Sequence, residues 1–323
     1  MQNNPTQLLL IDSRQAEALM SVRDVLDAVR DAFILHSQEE GRVFPMVRQQ
    51  LPAGVWGIKS GDVPGQGLLG FKTAGYWPGN RALGAASHQG TIMLIDPATG
   101  RPQCIIDGNA VTTMRTGAAG ALGLLQLARA DSGRICVFGT GVQARIQLRF
   151  ALDLMPSLYE ISYVSASGLP DAAFERLFSD RCNIALAADR NAAVSLSDIV
   201  ITATPGGGAL FRRDTVRPGT HLNCIGADTQ GKRELPEGLL QQARLFVDDH
   251  LQARAIGELQ WAPELPCVHL GDLLAGKVQM HRKPEEITLF DMTGVALQDL
   301  TVARLIYERA SARGIGTSVP WPW

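Results

Sequence analysis

The chain has 323 residues, 46% of them hydrophobic and 19% charged, a composition of folded rather than disordered proteins. Its length exceeds what one hydrophobic core commonly reaches, so two domains are expected. A formal net charge of −2 gives no support to a nucleic-acid or membrane-surface partner. The apolar runs are too short to span a bilayer, and the N-terminus MQNNPTQLLLIDSRQ has neither the basic region nor the apolar region of a secretory signal. Cys104, Cys136, Cys182, Cys224 and Cys267 show no ligand-like spacing, so reduced thiols in a cytoplasmic protein, without metal, are expected.

Residues 14–37 carry apolar side chains at helical spacing, at Ala18, Val22, Leu26, Val29 and Phe33, which predicts a helix; Ser21 has the character of an N-cap inside it. Residues 43–106 are rich in Gly and Pro and hold short apolar runs. Between two of them, ID-PATG-RPQ has the turn residues of a β-hairpin, so this part reads as an antiparallel sheet. Residues 109–130 form a predicted Ala/Leu-rich helix whose small residues allow close packing. From residue 134 the period changes. RICVFG (134–139), EISYVSAS (160–167), DIVITATP (198–205), HLNCIGA (221–227) and RLFVDD (244–249) read as strands, with helices at VQARIQLRFALDLM and PDAAFERLF. Such alternation predicts an α/β fold, a doubly wound parallel sheet of Rossmann type. TVARLIYERASARG near the end reads as a further helix.

The most specific motif is Gly139-Thr140-Gly141-Val142-Gln143-Ala144, a G-x-G-x-x-A fingerprint with a strand before it and a helix after it, the context a dinucleotide loop requires. Gly139 suits the tight turn, Gly141 lets backbone approach the pyrophosphate, and Ala144 lets the helix pack close to the strand. The helix N-terminus offers N–H groups and partial positive charge to phosphates. At the end of the second strand stand Ser165, Ala166 and Ser167, with neither the acid that holds a ribose 2′-hydroxyl nor an arginine for a 2′-phosphate. The cofactor is therefore expected to be NAD or NADP, with Arg181 a remote partner for the extra phosphate.

The runs GLLGFKTAGYWPGN, GTIMLIDPATGRPQCIIDGNAVTTMRTGAAGALG, FGTGVQA, DIVITATP, NCIGADTQGKRELP and FDMTGVALQDLTVARLIYE resemble, in order and over nearly the whole length, the ornithine cyclodeaminase/μ-crystallin family. The resemblance implies a homodimer whose subunits carry a Rossmann domain and an α+β domain for dimerisation and substrate binding. Here these are expected at residues 116–301 and at residues 1–115 with 302–323. It further implies that Lys72 and Arg115 bind the carboxylate of a small amino or imino acid, helped by Arg48, and that Lys72 and Asp228 are catalytic, Asp228 as general acid/base at the nitrogen. Thr116, Thr204 and Pro205 are expected to border the cofactor. Independently of the resemblance, Lys72 lies among apolar and glycine residues, where a lysine needs an anion to offset its desolvation, and Asp228 follows a parallel strand, whose carboxyl end faces the ligand crevice. Asp198 reads as structural.

Three activities fit these expectations: cyclodeamination of ornithine to proline and ammonia with the cofactor recycled, net reduction of a ketimine or Δ1-pyrroline-2-carboxylate (or alanine dehydrogenation) with NAD(P)H, and nucleotide-dependent binding without turnover. One departure bears on the choice. Where cyclodeaminases carry a glutamate suited to a distal amine, this chain has Lys59-Ser60-Gly61; a lysine would repel that amine, unless Asp62 supplies the acid.

Overall fold

The computed structural model describes residues 6–322. They form two compact units, one of the chain up to Arg115 together with Val295 onward, the other Thr116–Gly294. The return to the first unit comes earlier than the expected residue 302, because the last helix runs unbroken over Ala296–Arg313 and belongs to that unit along its whole length.

The first unit opens with a strand the sequence did not announce, Thr6–Ile11. The helix expected over 14–37 is two. Asp12 caps Ser13–Ala18 through a reciprocal pair of bonds with Gln15, and Ser21 caps Val22–Ser37, its hydroxyl accepting from the Asp24 N–H at 3.2 Å. The second helix buries Val25, Leu26, Val29 and Phe33. Among the described residues, the sheet runs in the order Thr317–Trp321, Thr6–Ile11, Pro102–Asp107, His88–Ile95, Leu68–Tyr76, Gly54–Val63 and Arg42–Val43, with Val47–Leu51 also on Gly54–Val63. It is antiparallel as expected, except where Thr6–Ile11 lies parallel to Pro102–Asp107. The expected hairpin joins His88–Ile95 to Pro102–Asp107: Asp96 accepts from the Ala98 N–H at 2.9 Å and the Thr99 hydroxyl at 2.6 Å, and Gly100 takes φ 74°.

Residues alternate across this sheet. In Leu68–Tyr76, the buried face holds Leu68, Gly70 and Lys72, and helix Ala296–Arg313 covers it with Leu297 and Leu300, both fully buried. Gly70 is required by this packing, since a Cβ there would sit 2.9 Å from the Leu300 side chain and 2.5 Å from the Met93 carbonyl. Each such buried leucine contributes about 1.5–3 kcal/mol, so this helix is a structural lid on the face that carries Lys72.

The second unit has a wholly parallel sheet in the order Asn183–Leu186, Glu160–Val164, Arg134–Phe138, Ile199–Thr202, His221–Cys224, Ile287–Asp291, Ala243–Val247 and Cys267–His269. The strand order reverses beside Arg134–Phe138, the switch point at which such sheets take ligands. The central strands are buried on both faces, and Cys136, Phe138, Val200, Leu222, Cys224, Leu245 and Leu289 form the core. Asn183–Leu186, Cys267–His269 and Ile287–Asp291 were not foreseen. Helix Gly108–Leu127 crosses the boundary between the units. Its small residues serve close packing as expected, with Gly120 against Gln147 and Gly123 against Phe290. Among the described residues no helix is long and apolar enough to cross a membrane.

Candidate active-site residues and the dinucleotide loop

Two of the expected carboxylate ligands meet in the first unit, and a residue that sequence reasoning missed joins them. Lys72 Nζ lies 2.6 Å from Asp299 Oδ2, and Arg115 Nε donates to Asp299 Oδ1 at 3.1 Å. All three are buried: Lys72 is 5% exposed, Arg115 8% and Asp299 0%. Lys72 also donates to Thr112 Oγ1 at 3.2 Å, and Arg115 Nη1 donates to Gln298 Oε1 at 3.1 Å. Gln298 is fully buried, and its Nε2 has no hydrogen-bond partner among the described residues, a deficit of about 1–3 kcal/mol that an acceptor would remove. His88 stands nearby with Nδ1 2.7 Å from Asn109 Oδ1; burial, against the bond to Asn109 and with Lys72 and Arg115 close by, lowers its proton affinity.

The charges in this cluster do not balance. Burial pushes the Lys72 ammonium down to about 7; Asp299 resists this, while Arg115 and Lys59 add to it. For Asp299, burial acts upward but Lys72 and Arg115 outweigh it, and its carboxyl stays below the ordinary range. The result is an ionised carboxylate between two cations, one of which gives up its proton near neutrality. A second carboxylate entering here meets donors already oriented, and would draw a proton back onto Lys72.

Lys59 is directly opposite Lys72 in the register of Gly54–Val63 and Leu68–Tyr76, so both side chains rise from one face of the sheet. Arg48 lies on the exposed strand Val47–Leu51 opposite Gly57, two residues before Lys59, and so on that same face. It is thus on the expected side of the sheet. Asp62 does not fill the place of the missing acid. It registers with Leu69 on the other face and is paired with the Arg42 guanidinium, its Oδ1 accepting from Nε at 2.8 Å and its Oδ2 from Nη2.

In the second unit, the glycine loop follows Arg134–Phe138 and leads into helix Val142–Leu154. Gly139 has φ 102°, and a Cβ there would lie 2.7 Å from the Ala203 carbonyl. Gly141 caps the helix without a side-chain bond to the helix N–H groups, and nothing lies within 4 Å of where its Cβ would be. Ala144 is fully buried against the sheet. Thr140, Val142 and Gln143 fill out the loop, with the Gln143 Oε1 buried and lacking a partner among the described residues. The open space over Gly141 and the uncapped helix N-terminus fit a phosphate group. After the second strand, the Ser165 hydroxyl donates to the Leu169 carbonyl at 2.7 Å and the Ser167 hydroxyl accepts from the Leu169 N–H at 3.2 Å; these two residues and Ala166 make a tight polar turn without a charge. Arg181, the remote candidate for a 2′-phosphate, pairs with Asp153 at 2.8 Å.

Asp228, beyond strand His221–Cys224, is half-exposed, and its Oδ1 accepts from Lys232 Nζ at 2.7 Å and from Thr229 Oγ1 at 3.0 Å. Glu234, fully buried, accepts from the Thr204 N–H at 2.8 Å, the Thr204 hydroxyl at 2.6 Å and the Gly226 N–H at 3.0 Å. It thereby ties the strand end at Thr204-Pro205 to the one that leads to Asp228. Thr116 is buried, and its carbonyl accepts from Gln147 at 2.7 Å. Asp198 accepts from the Gly133 and Arg134 N–H groups and from Arg129, consistent with a structural role. Lys232 and Glu234 sit in the run NCIGADTQGKRELP and Asp299 in FDMTGVALQDL; for Asp299 the available signal was an acid inside an otherwise largely apolar stretch.

A parallel sheet with a glycine loop at its switch point, and a separate unit with a buried lysine–aspartate–arginine cluster, define an NAD(P)-dependent enzyme. Residues 8–314 match the ornithine cyclodeaminase/mu-crystallin family, and the chain belongs to it. It is 31% identical to the alanine dehydrogenase of Archaeoglobus fulgidus, over 97% of this chain and 98% of that one, and 30% identical to the iminosuccinate reductase of Paracoccus denitrificans, over 97% and 99%. Among solved structures, an archaeal alanine dehydrogenase dimer with bound NAD superposes with a TM-score of 0.92 at 29% identity, covering 98% of this chain and 100% of that one.

Proposed function

We propose that this enzyme reduces a small 2-imino acid to the 2-amino acid, or runs the reverse oxidation, with NAD or NADP held at residues 139–144. The observation that carries the reading is the buried Lys72–Asp299–Arg115 cluster, in which two cations share one internal carboxylate and an unsatisfied Gln298 amide stands beside them. Such a site favours a further carboxylate by charge-assisted hydrogen bonds. Net reduction is favoured over cyclodeamination because Lys59 stands across from Lys72, where the distal ammonium of a diamine would be repelled, and because the 30–31% identical relatives are named as a dehydrogenase and a reductase. The half-exposed apolar side chains on the opposite sheet face, among them Phe71, Met93 and Ile105, support a homodimer formed through that face.

In this reading Arg115 and Lys72 hold the substrate carboxylate and so fix the α-carbon, with Arg48 reaching the same group from the edge of the sheet. Asp299 keeps both cations in place before substrate arrives, so little ordering is left for binding. A reduced nicotinamide held at the loop would supply hydride to the α-carbon of the imine. Asp228 would give the imine nitrogen its proton and would be recharged from solvent, with Lys232 beside it at 2.7 Å. The loop offers the main-chain N–H groups of Thr140, Val142 and Gln143 to phosphate.

The test is a coupled one. Purified protein is mixed with pyruvate and ammonium, or with Δ1-pyrroline-2-carboxylate, and with NADH or NADPH, and loss of the reduced nicotinamide is followed optically. Steady oxidation dependent on the imine is expected, with the preferred nucleotide read from the same experiment. Ammonia release from ornithine with NAD, without net change in the nucleotide, would overturn reduction in favour of cyclodeamination.

A further inference from the structure

Strand His88–Ile95 pairs with Leu68–Tyr76 so that Ile92 is opposite Lys72, Gly90 opposite Ala74 and His88 opposite Tyr76. Side chains alternate along a strand, so His88 rises from the face that carries Lys72. Its ring folds back along its own strand: Cε1 lies 3.4 Å from where a Cβ of Gly90 would stand, and Gly90 is the next residue on that face towards Lys72. One stripe of helix Gly108–Leu127 then holds three side chains in a row. Asn109 Oδ1 is 2.7 Å from His88 Nδ1, Thr112 Oγ1 accepts from Lys72, and Arg115 donates to Asp299. Three residues advance a helix by ~4.5 Å, so His88 is one such step from Lys72.

A carboxamide oxygen only accepts, so Nδ1 carries the ring proton and Nε2 presents a lone pair. That lone pair has no hydrogen-bond partner among the described residues. His221 shows what a structural histidine looks like in this chain: fully buried, with Nδ1 on Thr288 Oγ1 and Nε2 on Asn223 Oδ1, each at 2.9 Å. His88 is only half-buried. The charged groups that face it are Lys72, Arg115 and Asp299, and burial with the two cations keeps its proton affinity below the ordinary 6.5. A neutral acceptor beside two cations adds nothing for a carboxylate; it suits an N–H.

We infer, on the reading that Lys72 and Arg115 hold the substrate carboxylate, that Nε2 of His88 accepts an N–H of the substrate nitrogen, which makes His88 a further binding residue of this site. In an α-amino or α-imino acid the nitrogen is borne by the carbon next to the carboxylate, so a carboxylate at Lys72 leaves it within one step along the row. The bond orients the nitrogen and moves no proton. At acid pH, where the ring takes up a second proton, Nε2 becomes a donor and the bond is lost.

The experiment is calorimetry at about pH 7 on the protein saturated with reduced nucleotide, a state in which an amino acid binds without being turned over. L-Alanine is compared with propionate, and L-proline with cyclopentanecarboxylate, in the wild type, His88→Leu and His88→Gln. In the wild type at least one amine is expected to bind about tenfold more tightly than its des-amino partner. His88→Leu should bring that ratio close to one with the affinity for the des-amino acid retained, and His88→Gln, whose amide oxygen accepts, should keep most of it. A ratio unchanged in His88→Leu overturns the role of His88, as does equal weakening of both acids with a lowered melting temperature, the mark of a structural residue. Equal binding of amine and des-amino acid in the wild type overturns it while leaving the carboxylate reading in place. If none of the four acids binds, the carboxylate reading has failed and the role of His88 falls with it.

Discussion

The loop at 139–144 and the cluster at 72, 115 and 299 are built by opposite means. The loop works through main-chain groups and empty space: Gly141 borders nothing, and its helix end is left uncapped. The cluster works through buried charges whose partners are themselves charged. Filling the space over Gly141 leaves the fold indifferent, whereas removing a charge from the cluster leaves an ion stranded in a low dielectric. The two regions are therefore expected to fail differently, binding being lost alone in one and together with stability in the other.

The largest effect that can break this contrast is on stability. Asp299→Ala leaves Lys72 and Arg115 without their shared carboxylate, and a loss of about 3–5 kcal/mol is expected, read by chemical denaturation; an unchanged midpoint would mean that the cluster is not electrostatically tight. Next comes chemistry. Asp228→Asn is expected to lower kcat by ~10²–10⁴-fold while dinucleotide affinity, measured by fluorescence titration, stays as it was; retention of activity would remove Asp228 from proton transfer. In the loop, Gly141→Val should weaken dinucleotide binding by about 100-fold, or about 2.7 kcal/mol, at an unaltered melting temperature. Gly139→Ala, at φ 102°, should instead lose about 1–3 kcal/mol of stability, so the pair separates ligand space from backbone need within six residues.

The smallest effect sharpens the electrostatic side. Lys72 titrates near 7 in the folded protein, below the ordinary 10.5. Between those values the unfolded chain holds a proton that the folded one has released, so this group's contribution to stability rises with pH through that window and is flat below it. Substrate affinity runs the other way, because a carboxylate prefers the protonated amine. KM for the imino acid is expected to climb as pH rises above about 7, with Lys59, Arg115, Asp299 and His88 all facing the titrating group, and Lys72→Arg should flatten the climb in a pH profile.

Legibility in the sequence follows the same division. The loop is six consecutive residues after an apolar strand, so its whole geometry is local and readable. Lys72 and Arg115 stood out by their small and apolar neighbours and by family resemblance. Asp299 did not, because its meaning depends on a contact 184 residues away; only an acid among Leu297, Leu300 and other buried helix positions hinted at it. The strands 183–186, 267–269 and 287–291 were missed for want of length or alternation. Thr6–Ile11 was missed because it gains its place only from partners near residues 104 and 319. The register that sets Lys59 beside Lys72 and turns Asp62 away is equally a product of pairing.

The discontinuous make-up of the first unit also orders events at the ribosome. The stretch Thr116–Gly294 is complete before Ala296–Arg313 emerges, and chains acquire structure as they are made. Until that last helix arrives, Lys72 and Arg115 lack their carboxylate, and the sheet face bearing Leu68, Gly70 and Lys72 lacks its cover. A nascent or prematurely terminated chain would therefore carry a finished nucleotide module joined to an open, positively charged sheet, a species for chaperones to hold or proteases to clear.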